Sequence, residues 1–160
     1  MTDYKKYIDE GIEAIHNGKY EDAIVKIDKS ISLKNDWHIS YFYRGVANQA
    51  LENYDDAMLD YTKAIQLNEK MTDAYYNKAQ ITLSRKDIPN PDIEKAVKDL
   101  EKALEQDDKF IDALFAMAAA QKKLGNYHKS LEYLEKLLQI EPNAIHANAL
   151  KKLILQKYIV

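Results

Sequence analysis

The chain has 160 residues, with 23 lysines and arginines against 26 aspartates and glutamates and a formal net charge of −3. Acidic and basic residues alternate along it, so no basic block exists to track phosphates, and nucleic acid is excluded as an expected partner. Cysteine is absent, which removes disulfides, a cysteine nucleophile and thiolate metal sites and fits a reducing, cytoplasmic setting. The charged start, with Asp3, Lys5, Lys6, Asp9 and Glu10, does not read as a signal peptide. The longest apolar run, Ala113 to Ala120, is eight residues against the roughly 18 of a membrane span, so no membrane partner is expected.

With only four glycines and three prolines, the chain reads as helices joined by short turns. A period of 34 organises them. Tyr7, Tyr41 and Tyr75 repeat it, as do Tyr20 and Tyr54, Gly11 and Gly45, Ala23 and Ala57, and Leu33 and Leu67. The units run 4–37, 38–71, 72–110 and 111–144, and the third carries a five-residue insertion that moves the echo of Ala57 to Ala96, 39 residues on. Residues 145–160 begin a fifth unit with one helix, whose Ile145, Leu150, Leu153, Ile154 and Tyr158 are spaced to cover Leu134, Leu137 and Leu138. A slot is a position counted from the first residue of its unit, skipping the insertion.

Each unit carries two stretches of helical periodicity and is therefore a predicted helix hairpin. Small residues share slots: Gly11, Gly45, Ala79 and Ala118 in the first helix, and Ala23, Ala57, Ala96 and Ser130 in the second. Bulk stands one turn away at Tyr7, Tyr41, Tyr75 and Leu114. Gly18 and Gly125 fall at turns between helices, where a left-handed backbone favours glycine. Trp37, Met71 and Phe110 share the last slot of their units and are expected to wedge between successive hairpins. Pro142 stops the eighth helix, and Pro91 reads as the first helical position after an Asn90 cap. The inserted stretch, Ser84 to Asp92, is expected to be a surface loop.

The second unit, with Tyr41, Arg44-Gly45, Tyr54, Ala57, Tyr61 and Ala64, resembles the tetratricopeptide repeat, and the resemblance extends over residues 4–144. The first unit departs from the family pattern at Glu10, where leucine is preferred, and the fourth at Ser130. The resemblance implies an all-α fold, an α-α superhelix of four helix hairpins plus a C-terminal capping helix in a single domain over 1–160. It also implies a concave groove, lined by the first helices, that binds peptides.

No enzyme pattern accompanies the repeats: there is no HExxH, glycine-rich phosphate loop or GxSxG, and His16, His38, His128 and His146 occupy unrelated slots. A catalytic site, a cofactor and a metal site are therefore not expected. Glu21-Asp22 and Asp55-Asp56 sit where a second helix begins and read as dipole-complementing charges.

Binding is expected on the first helices instead. The fifth slot reads Ile8, Phe42, Tyr76, Phe115 and the ninth reads Ile12, Val46, Gln80, Ala119, an apolar row on the face the resemblance makes concave. Phe42, Tyr76 and Phe115 are the expected anchors, with Asn77, Gln80 and Lys122 orienting a partner by hydrogen bonds and Asp73 and Asp112 favouring basic flanks. One subclass of the family clamps the C-terminal carboxylate of chaperones with lysines and asparagines. The corresponding residues here are Ile8, Ile12, Tyr43, Asp73 and Asn77, four of the five unsuited, so that clamp is not expected. The expectation is a non-enzymatic scaffold for a protein or peptide partner; the alternative is a self-assembling structural protein that forms homo-oligomers through its apolar groove or open end.

Overall fold

A computed structural model describes residues 3–158; residues 159 and 160 of the expected last helix lie outside the described residues. Among the described residues there are nine α-helices and no strand: α1 (Asp3–His16), α2 (Tyr20–Leu33), α3 (His38–Ala50), α4 (Tyr54–Leu67), α5 (Thr72–Ser84), α6 (Asn90–Gln106), α7 (Ile111–Lys123), α8 (Tyr127–Ile140) and α9 (Ile145–Lys157). The chain divides into two compact units, the boundary falling inside α5 after Asn77.

The second helices form because their apolar residues return every three or four positions. Ala23, Ile27 and Ser30 make one buried stripe on α2, and Ile93, Ala96, Val97, Leu100 and Ala103 make another on α6. Acidic pairs stand in the first turns of α2 and α4, where they complement the helix dipole. Three hairpins share one turn. Lys19, Asn53 and Asn126 each donate a backbone N–H to the carbonyl five residues back, at 2.8, 2.9 and 2.9 Å, and the residue before each is left-handed. Glycine fills that position in the first and fourth hairpins, Gly18 at φ 70° and Gly125 at φ 80°, while Glu52 fills it in the second at φ 61°.

The insertion is shared out differently from the expected loop. Helix α6 has 17 residues where α2, α4 and α8 have 14, so three of the five extra residues add most of a helical turn. The other two lengthen the connection between α5 and α6. Helix α6 also begins one residue early, with Pro89 as its cap at φ −64° and Asn90 already helical, because proline's fixed φ suits the entry to a helix.

In the first unit, Ile8, Ala23, Ile27 and Ala47 form a core cluster with Trp37 packed against it, and Trp37 meets Tyr4 edge-on with centroids 4.9 Å apart. Ser30 and Ser40 hydrogen-bond at 2.9 Å between α2 and α3. A Cβ on Gly45 would stand 2.8 Å from the Tyr61 ring, so α3 and α4 approach as closely as they do only because slot 8 is empty of side chain. In the second unit, Leu114, Ala118, Leu134, Leu137, Ala147 and Ile154 form the core, and α9 buries Leu134 and Leu137 completely against it.

Candidate functional site

Hairpins one to three are each tied across by opposite charges at slots 7 and 23. Lys26 Nζ lies 2.7 Å from Glu10, Arg44 2.7 Å from Asp60, and Lys78 3.5 Å from Asp99. The first pair has reversed polarity, which accounts for Glu10 standing where the family prefers leucine. Its hydrogen bond from Lys26 holds the Glu10 carboxyl below the usual carboxylate range. Burial pushes Asp99 the other way, with Lys78 opposing. Arg44 also reaches Asp28 of the preceding hairpin at 2.7 Å, and Lys151 repeats that step to Glu135 at 3.3 Å. The Asp60 hydrogen bond raises the Arg44 guanidinium above its ordinary value, and Asn48 donates to the same carboxylate at 3.2 Å.

These ties position the first helices, and the expected binding residues fall into separate groups. In the first unit Ile8 is 1% exposed. It belongs to the core and not to an open face, because α2 supplies Ala23 and Ile27 and α3 supplies Ala47 to close over it. Ile12 packs against the same cluster and is half-buried. Phe42, Val46, Tyr76 and Asn77 are half-buried. The Phe42 ring lies 5.2 Å from Tyr43 and 5.8 Å from the buried Tyr61. Asn77 donates to the Tyr61 hydroxyl at 3.2 Å, and that hydroxyl donates to Gln49 Oε1 at 2.7 Å. Burial pushes the Tyr61 phenol up, so it stays a hydrogen-bonding group and does not ionise near neutral pH. Sequence reading passed over Gln49, although its slot lies one helical turn beyond the fifth and ninth.

In the second unit Gln80 is exposed, Lys122 is half-buried, and Phe115 lines a cleft of about 380 Å³. The apolar walls of this cleft are Ile111, Phe115, Leu137, Ala144, Ile145 and Ala147; Asp112, Glu141, Asn143 and His146 supply its polar edge. The His146 ring centroid stands 6.5 Å from that of Phe115. Asp112 was anticipated from its slot, whereas Glu141 and Asn143 were missed because they stand in the turn before α9, and His146, in the first turn of α9, because no partner across the cleft is visible in its slot. Among the described residues no cluster of histidine, aspartate and glutamate is placed to hold a metal ion, and no helix is long and apolar enough to cross a membrane.

The tetratricopeptide repeat profile matches residues 38–71, and that of the Fis1 C-terminal tetratricopeptide repeat matches residues 111–159. The chain is a tetratricopeptide-repeat protein. Human Sperm-associated antigen 1 is 33% identical over 96 residues, which are 60% of this chain and 10% of that protein. The matches cover only 10% to 15% of the length of the curated relatives. A crystal structure of MamA protein superposes with a TM-score of 0.85 over 96% of this chain and 81% of its own, at 20% identity. The first tetratricopeptide-repeat domain of Spaghetti (RPAP3), bound to the HSP90 peptide SRMEEVD, does so with a TM-score of 0.70 at 22% identity, over 77% of this chain and 94% of its own. At these identities the likeness is one of fold: the all-α repeat fold of helix hairpins.

Proposed function

We propose that this tetratricopeptide-repeat protein is a non-enzymatic, cytoplasmic interaction scaffold whose first helices take an extended peptide or a helix from a partner protein. The observation that carries this reading is the Phe115 cleft, an apolar floor with Asp112 and Glu141 at its edge. Such a site suits an apolar side chain flanked by lysine or arginine. Phe42 and Tyr76 extend the same preference to the first unit, with Asn77 available to orient main chain. The RPAP3 domain takes an acidic peptide; here the slots of a carboxylate clamp hold Ile8, Ile12, Tyr43, Asp73 and Asn77, and Asp73 would repel a carboxylate. A chaperone tail is therefore not the proposed ligand.

Selection from a random peptide library on the whole chain tests the reading. Peptides with an apolar residue beside a basic one should emerge, and Asp112→Lys, an exposed change, should weaken them while leaving the melting temperature unchanged. Selection of acidic tails, or indifference to Asp112→Lys, contradicts it. The second reading, self-association, draws on α9, where Ile145 is 80% exposed and Leu153 and Leu155 are also exposed. Sedimentation velocity across about a hundred-fold dilution decides it, since a self-assembler changes mass and a peptide binder keeps it.

A further inference from the structure

The second unit opens another cleft, about 570 Å³, between α6 and α8 and over the turn leading to α7. It shares no lining residue with the Phe115 cleft. The second hairpin shows what the same slots look like when filled. There Tyr41, at slot 4, donates its hydroxyl to the Asn35 carbonyl at 2.8 Å, and the Arg44 guanidinium lies 5.6 Å over the Tyr41 ring on its way to Asp28. In the fourth hairpin slot 4 is Leu114 and slot 7 is Met117, so the ring, the hydroxyl and the guanidinium are all missing. The groups that would receive them are kept. Asp108 stands at the slot of Asn35 and Glu101 at the slot of Asp28, and both line the cleft.

The charges around it lean the same way. Glu101, Glu105 and Asp108 line the cleft together with Lys109 and Lys136; Lys102 pairs with Glu105 at 2.8 Å, and Lys136 sits 5.1 Å over the Tyr133 ring. Met117, buried and uncharged, offers Glu101 no counterpart to the guanidinium that Arg44 gives Asp28.

We propose that this outer cleft docks a partner segment through a tyrosine side chain with an arginine beside it. The ring fills the volume that Leu114 leaves, its hydroxyl donates to main chain at Asp108, and the guanidinium pairs with Glu101. The site is independent of the groove on the first helices, and either can fail alone.

The test is a titration of the ¹⁵N-labelled full chain with acetyl-Tyr-Arg-amide, followed by amide shifts. Saturable shifts centred on Leu104, Asp108 and Tyr133 are expected, about five-fold tighter than with acetyl-Ala-Arg-amide or acetyl-Tyr-Glu-amide. Leu114→Tyr should refill the cleft and abolish those shifts. Because Leu114 is buried, Glu101→Lys serves as the second variant: exposed and harmless to the fold, it should weaken binding about three- to five-fold. Equal response to all three peptides, shifts centred on Phe115 and His146, or binding untouched by Glu101→Lys would overturn the proposal.

Discussion

At slot 7 of the second hairpin stands Arg44, held by Asp60 and Asp28; at the same slot of the fourth stands Met117, fully buried, with Tyr133 where Asp60 would be. Slot 8 is Gly45 in one and Ala118 in the other, and slot 20 is Ala57 or Ser130, the serine donating to the Ala118 carbonyl at 2.6 Å. Two helices thus meet on one backbone plan by two chemistries. The tetratricopeptide plan demands small side chains at the crossing and leaves the outer slots free to be ionic or apolar. In the second hairpin the Arg44 guanidinium crosses the outer face over Tyr41 to Asp28, whereas in the fourth, with Leu114 and Met117 at those slots, the Leu114 cleft stays open.

The largest effect should come from breaking the charge tie on one side. Arg44→Met leaves the Asp60 carboxylate, 4% exposed, without its cation and should cost about 3 kcal/mol in a denaturant melt. Transplanting the fourth hairpin's pair, Arg44→Met with Asp60→Tyr, should recover most of that loss, because a buried ion pair exchanged for packed apolar groups is often neutral. A double variant as unstable as the single one would mean that the two chemistries are not interchangeable. Next, slot 8 should prefer opposite residues in the two hairpins. Gly45→Ala drives a methyl into the Tyr61 ring and should cost about 2 kcal/mol, while Ala118→Gly should cost about 1 to 2 kcal/mol through helix propensity and the loss of a core methyl. A smaller gain is expected at the turn. Glu52→Gly relieves a left-handed glutamate and should stabilise by about 0.5 to 1 kcal/mol, whereas Gly125→Ala should destabilise by about 1 kcal/mol.

Acid should separate the two units further. Glu10 has a depressed folded pKa, so its stabilisation is present above the unfolded carboxylate value and is lost as pH falls through the folded one. Asp99 has a raised folded pKa, so its destabilising share is present above that value and disappears as pH falls to the unfolded one. Amide-exchange protection, corrected for intrinsic rates, should therefore fall in α1 and α2 between neutral pH and pH about 3, and fall less in α6. The opposite order would assign the wrong sign to one of these carboxylates.

Much of this was legible in the sequence, and particular residues show where legibility stopped. Tyr7, Tyr41 and Tyr75 with Gly11 and Gly45 carry the period because a helix crossing tolerates few residue types at slot 8, so the constraint is written in the residues themselves. Gly18 and Gly125 marked their turns for the same reason, and Glu52 hid the third because hydrogen bonds from Glu52 and Asn53 back to α3 hold that turn closed without a glycine. The charge ties were invisible residue by residue: Arg44 and Asp60 are 16 positions apart and become a pair only once the hairpin is folded. Ile8 was read as a groove residue from its slot alone, but α3 covers α1 at that slot. Half of the polar edge of the Phe115 cleft, Glu141 and Asn143, lies in a turn, where helical periodicity gives no guide.

The most direct measurement of the scaffold account is calorimetric titration of one library-selected peptide into the wild-type chain and into Phe115→Ala, with melting temperatures taken alongside. Loss of an apolar anchor predicts affinity weaker by about 2 kcal/mol, roughly 30-fold, with a melting temperature that moves little. A collapse of the melting temperature with affinity per folded molecule unchanged would make Phe115 a packing residue and contradict the account.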